Sequence, residues 1–405
     1  MNFITFVKLL TAFLLLTFFS ACSDSIPPPD LTGKYQPGAE TLELRDGNKW
    51  IQVRIWYPSL EGSNNKLMAS DAHSLAAFSE VIGLPEFLMG SEEASRSSLN
   101  VPIAYGRFPI IIFNHGLMSY ARQNTSQFEQ LASHGYIVFS IANPGESMVV
   151  VRDNGEVIHA NRDGIAWQAF QKQRQGSESA AADLQRLLKA ARNHQNFIDF
   201  KTKMSELSQG ATFKDMLPLL DVVYSHNQIL LNALPNIDKG ILSSKLEGHL
   251  DLENIGVYGH SFGAIVSGQL TMRDARIKAA IGLDAPMLNS GNGTYKPFDK
   301  PVCFAYADAL EYGDSIIEFD GINRPLLESP GSCEVRFEQS AHYNFTDLNQ
   351  VTALRYSPML GEVDNSLMSS NLEQLLLAFF NTHLKGTAEL SDLKLAGVEM
   401  RMKTP

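Results

Sequence analysis

Basic residues are scarce in this chain: 33 Lys and Arg stand against 44 Asp and Glu, a formal charge of −11. A surface that acidic repels phosphate backbones, and no long Lys/Arg run offsets it, which argues against a nucleic-acid partner. Low-complexity tracts and internal repeats are missing too, and glycine, at 29 residues, keeps its usual share. Disordered and collagen-like classes are thereby excluded. Cysteine is limited to three residues. No H-E-x-x-H, C-x-x-C, phosphate-loop or dinucleotide glycine pattern occurs, so no metal and no nucleotide cofactor is implied. What is present is an ordinary globular composition, 44% hydrophobic and 19% charged over 405 residues. Length alone would suggest two or three domains, yet α/β folds of this size often form one extended domain.

The single long apolar run is N-terminal. Lys8 precedes residues 9–19, and Ser20 and Ala21 lead into Cys22. The run falls short of the ~20 residues that span a hydrocarbon core. A charged start, a short apolar centre and a small-residue ending read as a secretory signal. Phe19-Ser20-Ala21-Cys22 resembles a bacterial lipobox, in which Cys22 becomes the lipidated first residue. Plain secretion and an uncleaved anchor are the alternatives. Ser23 after the cysteine directs the expectation to the outer membrane of a bacterial cell envelope. The expected organisation is a signal over 1–21, a Pro-rich tether over 22–40, a globular domain over 41–388 and a tail over 389–405. The two remaining cysteines, Cys303 and Cys333, either pair in an oxidising compartment or serve as small buried hydrophobes.

Residues 51–57 alternate like a half-buried antiparallel strand. Residues 109–113, 136–141, 254–258, 279–283, 302–306 and 334–337 are nearly continuous apolar runs separated by helical patterns. Such alternation predicts a mostly parallel sheet covered by helices on both faces, an α/β fold. A last helix is expected over 367–384 with Gly386 as its stop. Residues 145–250 exceed any ordinary connection and carry helical patterns over 180–191 and 216–234. They form either extra packing helices or a cap over an apolar pocket.

Gly259-His260-Ser261-Phe262-Gly263 is the chemical centre. Alone, G-x-S-x-G is weak, since chance supplies roughly 0.1 matches in a chain this long. Here an apolar strand enters it and a helical run leaves it, the context of the nucleophile elbow of α/β-hydrolases. Serine is a poor nucleophile at neutral pH and needs a base held by a carboxylate, in the chain order Ser, acid, His. His342 is the histidine that follows a late strand, whereas His383 falls inside the last helix and His260 is locked beside the serine. Asp284 and Asp308 both end expected strands, where side chains converge on the site, and many α/β-hydrolases place their acid after the later of these strands, which would favour Asp308. The backbone N–H groups of Leu117, in Asn114-His115-Gly116-Leu117, and of Phe262 are the expected oxyanion donors.

At these residues the chain resembles the secreted, plasma (isoform II) type of platelet-activating factor acetylhydrolases and their bacterial relatives, with dienelactone and polyester hydrolases more distant. The resemblance is carried by RIWYP at 54–58, FNHGLMSY at 113–120, LASHGYIVFSIAN at 131–143, NIGVYGHSFG at 254–263, AAIGLDAPM at 279–287, SAHYNFTDL at 340–348 and FFNTHLKG at 379–386. It implies an α/β-hydrolase fold with Ser261 as nucleophile, Asp284 rather than Asp308 as the acid, and His342 as the base. It also implies phospholipid esters with short or oxidised acyl chains as substrate. Ala264 departs from the family pattern by a small change that keeps the elbow, and Pro286 departs where the family often has an aromatic residue, so the acyl pocket need not match. General carboxylesterase activity and a catalytically silent binding role are the rival expectations.

Overall fold

The computed structural model describes residues 29–70, 72–83, 93–175, 178–290, 295–312, 315–350 and 359–403. The signal, Cys22, Pro27 and Pro28 lie outside the described residues. In chain order the strands are β1 (Gln36–Asp46), β2 (Lys49–Ser59), β3 (Lys66–Ser70), β4 (Glu93–Leu99), β5 (Phe108–Asn114), β6 (Ile137–Ala142), β7 (Val149–Val151), β8 (Val157–His159), β9 (Leu250–His260), β10 (Ile277–Leu283), β11 (Val302–Tyr312), β12 (Ser315–Ile317), β13 (Cys333–Ala341) and β14 (Val398–Met402). The helices are α1 (Ala72–Ile82), α2 (Thr125–Ser133), α3 (Ile165–Arg174), α4 (Glu178–Arg192), α5 (Phe197–Gln209), α6 (Leu217–Asp238), α7 (Phe262–Arg273) and α8 (Asn365–Phe380).

One large sheet runs β14-β13-β11-β10-β9-β5-β6-β2-β1-β4-β3. Its middle, from β13 to β6, is parallel, and β2 joins it antiparallel to β6. β5 reads Phe-Pro-Ile-Ile-Ile-Phe-Asn and is buried at all seven positions, as a strand covered on both faces must be. Its side chains divide by the period of two. Ile110 and Ile112 enter a core under α6 and α7. Ile111 and Phe113 enter a second core with Phe128 of α2 and Leu372, Phe379 and Phe380 of α8. Each such aromatic contributes roughly 1.5–3 kcal/mol by burial, so these two layers hold the sheet rigid behind the site.

The long insert has two jobs. α6 lies on the sheet against β1, β2 and β9, as a crossover helix does. α3, α4 and the segment before α6 help wall a cavity. Two expectations change at the ends. Residues 36–40, taken with the tether, open β1, where they pair with β2. The C-terminal segment is no free tail: Val398, Met400 and Met402 alternate, and β14 caps the sheet antiparallel to β13. The last helix is α through Phe380, then widens to a π turn over Asn381–Lys385 and stops at Gly386, which is left-handed at φ 62. Cys303 and Cys333 face each other on neighbouring β11 and β13 and are joined as a disulfide, with Cα atoms 4.4 Å apart.

Candidate active site

Four parallel strands of the sheet each deliver one part of the site, β5, β9 and β10 as neighbours and β13 beyond β11. β9 ends in His260 and turns sharply at Ser261, whose φ of 57 and ψ of −123 lie where non-glycine residues are strained. The turn survives because the residues two positions to either side, Gly259 and Gly263, have no side chains. A Cβ on Gly263 would sit 1.9 Å from the Asn114 carbonyl oxygen, and one on Gly259 would sit 2.3 Å from the Gly263 carbonyl oxygen. The Ser261 N–H donates to the Leu283 carbonyl at 2.8 Å, tying the elbow to β10. α7 starts at Phe262, so the first amides behind Ser261 lack intrahelical acceptors and carry the positive end of the helix dipole.

β10 delivers Asp284, and β13 delivers His342. His342 Nδ1 and Asp284 Oδ2 are 2.6 Å apart, while Asp284 Oδ1 accepts the Ala307 N–H at 2.9 Å. The carboxylate is almost sealed and the imidazole is 14% exposed, so the pair is dry on one side and open to the cavity on the other. Asp308 lies elsewhere. β11 runs on past it to Tyr312, and its carboxylate pairs with Arg336 and accepts the Gln339 N–H. The expectation that Asp308 ends its strand fails, because the strand does not end there.

The loop that carries His342 is fastened behind the site. Asn344 Oδ1 accepts the N–H groups of Ala341 and Gly361, both at 2.7 Å. The Phe345 carbonyl accepts from Asn124 and Gln127, and Asp347 accepts the backbone N–H and the hydroxyl of Ser126. Burial pushes the Asp347 carboxyl up to about 7 and the neighbouring Glu373 up to about 8.

β5 delivers the loop of His115, Gly116 and Leu117. His115 is buried and serves as a fastener, with Nδ1 at 2.8 Å from the Gly116 carbonyl and Nε2 at 2.7 Å from Ser147 Oγ. Burial lowers its pKa to about 4, so it stays neutral. Among the described residues no group of three or more His, Cys, Asp or Glu side chains is arranged to hold a metal ion.

Ser261, Asp284 and His342 line one cavity of about 280 Å³. Phe170 of α3, Leu184 of α4, Phe213 and Met216 from the segment before α6, and Phe319 supply its apolar side, and Arg174 adds one cation. A larger groove of about 720 Å³, lined by Arg192, Asp320 and Arg324, contains none of the three site residues. The cavity walls and Gln123, which bonds both Gly116 and His260, were not singled out from the sequence. No motif marks them, because they come from an insert and a turn without any fixed spacing to Ser261.

The family model described as platelet-activating factor acetylhydrolase, isoform II, matches residues 20–394. The platelet-activating factor acetylhydrolase of Bos taurus is 25% identical over 375 residues, covering 88% of this chain and 77% of the relative. That of Canis lupus familiaris is 24% identical over 368 residues, with the same coverage of both chains. A ferulic acid esterase from Streptomyces cinnamoneus has a similar structure, with a TM-score of 0.60 at 18% identity, covering 94% of this chain and 99% of the other. That likeness speaks for the α/β fold alone. With the family model spanning nearly the whole chain, this protein belongs to the isoform II family of platelet-activating factor acetylhydrolases, a family of carboxylic ester hydrolases.

Proposed function

We propose that the chain is a serine esterase that removes short or oxidised sn-2 acyl groups from phospholipids through an acyl-serine intermediate. The observation that carries the reading is the 2.6 Å contact between His342 and Asp284 in the cavity that Ser261 also lines. Asp284 holds the proton on His342 Nδ1, which leaves Nε2 free to accept the Ser261 hydroxyl proton. Ser261 Oγ then adds to the ester carbonyl, and the Leu117 and Phe262 amides take the negative charge that develops on oxygen. His342 returns its proton to the leaving alcohol and later removes one from the water that frees the acyl group.

Two features support the lipid part of the reading. A cavity of about 280 Å³ lies at the lower edge of ligand pockets, commonly ~300–1,000 Å³, and suits a compact ester rather than a long chain. Arg174 at the cavity is exposed and suits a phosphate on the alcohol side. Lipidation at Cys22 would hold the enzyme at the outer membrane of a bacterial envelope, beside such a substrate. Mass spectrometry of the mature N terminus, with Cys22→Ser as the control, tests that anchor.

The deciding assay compares 2-acetyl and 2-long-chain phosphatidylcholines with soluble nitrophenyl esters, using wild type and Ser261→Ala. Fast Ser261-dependent loss of acetyl, with long chains spared, is the expected result. Turnover of soluble esters alone would reduce the protein to a general carboxylesterase, and no turnover at all would leave a binding protein.

A further inference from the structure

We propose that Gln123 and His260 are positioning residues that lock the oxyanion loop and the base loop to each other across the nucleophile elbow. The inference rests on the reading of Ser261, Asp284 and His342 as the catalytic set. It assigns work to two buried side chains that this set leaves unexplained.

The chain of contacts has four members. The Gly116 N–H donates to Gln123 Oε1 at 3.1 Å. Gln123 Nε2 lies 2.9 Å from His260 Nδ1, and His260 Nε2 lies 2.9 Å from the His342 carbonyl oxygen. Both ends have a fixed polarity: an amide N–H only donates and a carbonyl only accepts. Gln123 must therefore turn its oxygen to Gly116 and its NH₂ to His260. Nδ1 of His260 must accept, so the ring proton sits on Nε2 and points at His342. No other arrangement satisfies every atom.

The ring is also kept neutral. His260 and Gln123 are 2% and 6% exposed. Burial and the nearby His342 hold the His260 pKa well below its usual value. A second proton on Nδ1 would face the Gln123 NH₂ and break the chain.

The bland account is that these are buried polar groups that happen to be satisfied. The end points argue for more. One end is the residue before Leu117, the other is the backbone of His342, and the middle is the residue before Ser261. The His260 and His342 rings stand 4.5 Å apart, so a shift of one moves the other. A displacement of about 1 Å between reacting groups costs on the order of a hundredfold in rate.

The test is a pair of substitutions at one position. His260→Phe keeps a ring and removes both links. His260→Gln supplies one acceptor and one donor, which can rebuild them. The expected result with a nitrophenyl acetate ester is a roughly 10- to 100-fold fall in kcat for His260→Phe with KM within about threefold. His260→Gln should recover at least about tenfold of that loss at a similar Tm. Equal kcat in the two variants, or a loss that follows Tm alone, overturns the proposal. So does a kcat for His260→Phe within about threefold of wild type. Should His260→Phe fail to fold, Gln123→Met carries the same expectation, since it keeps length and cuts both Gln123 links. A wild type that turns over no ester at all would instead bring down the esterase reading on which the proposal stands.

Discussion

Replacing Asp284 by Asn changes a single oxygen, and the geometry says what must follow. Asp284 Oδ1 accepts the Ala307 N–H at 2.9 Å, so the amide oxygen of Asn has to take that place. The amide nitrogen then faces His342 Nδ1, where Asp284 Oδ2 stood at 2.6 Å. An NH₂ group can only donate, so Nδ1 must become the acceptor and the imidazole proton moves to Nε2. His342 can then no longer take the Ser261 proton. The wrong tautomer in a triad of this kind lowers kcat by about 10⁴, or roughly 5 kcal/mol of transition-state stabilisation. Asp308→Asn provides the contrast. Its carboxylate serves the half-exposed Arg336, a pair worth ~0–1 kcal/mol of stability, and touches no part of the site. Steady-state hydrolysis of nitrophenyl acetate by both variants, with Tm as a folding control, reads the difference. An Asp284→Asn enzyme within tenfold of wild type, or an Asp308→Asn enzyme losing more than Asp284→Asn, refutes the reasoning.

Other outcomes follow from other parts of the fold. The Cys303–Cys333 bond closes a 30-residue separation, which a chain-entropy argument values at about 3.6 kcal/mol, so Cys303→Ser with Cys333→Ser should lower the unfolding free energy by about that amount, read as a lower denaturation midpoint. An unchanged midpoint would say the bond constrains nothing. Glu373 is raised from about 4.5 to about 8 by burial, so the folded form holds its proton where the unfolded chain has lost it. That stability is complete below about pH 4.5 and is lost as pH rises through 8. Wild type should thus melt lower at pH 9 than at pH 6.5, with a flatter profile for Glu373→Gln; equal slopes would contradict this. Arg174→Gln should lower kcat/KM for a 2-acetyl phospholipid roughly three- to fivefold more than for a neutral nitrophenyl ester, as expected for one exposed charge contact, and an equal effect on both would remove Arg174 from phosphate recognition.

The central machinery was legible because it is local. Continuous apolar runs such as 109–113 mark strands whatever surrounds them, and Gly259 and Gly263 announce a turn too tight for a side chain at those two positions. The choice between Asp284 and Asp308 was not legible from strand position. It depends on where β11 ends, and β11 continues to Tyr312 through pairing with β12 and β13, long-range contacts with no local signature. The pairing of Cys303 with Cys333 stayed open for the same reason, since only the parallel register of β11 and β13 puts them opposite each other. The tail became β14 because an unpaired β13 edge was there to receive it. The cavity walls are the least legible part. Phe170, Leu184, Phe213 and Met216 belong to helical patterns that read equally well as packing, and only their tertiary position turns them towards Ser261.

Trapping the nucleophile tests the central claim most directly. Treatment with a fluorophosphonate, followed by intact-mass and peptide mapping, should show one phosphonyl adduct per chain, on Ser261, with activity lost in proportion to labelling. Ser261→Ala should stay unlabelled and inactive. Labelling on a different serine, or equal labelling and hydrolysis in Ser261→Ala, would contradict the account.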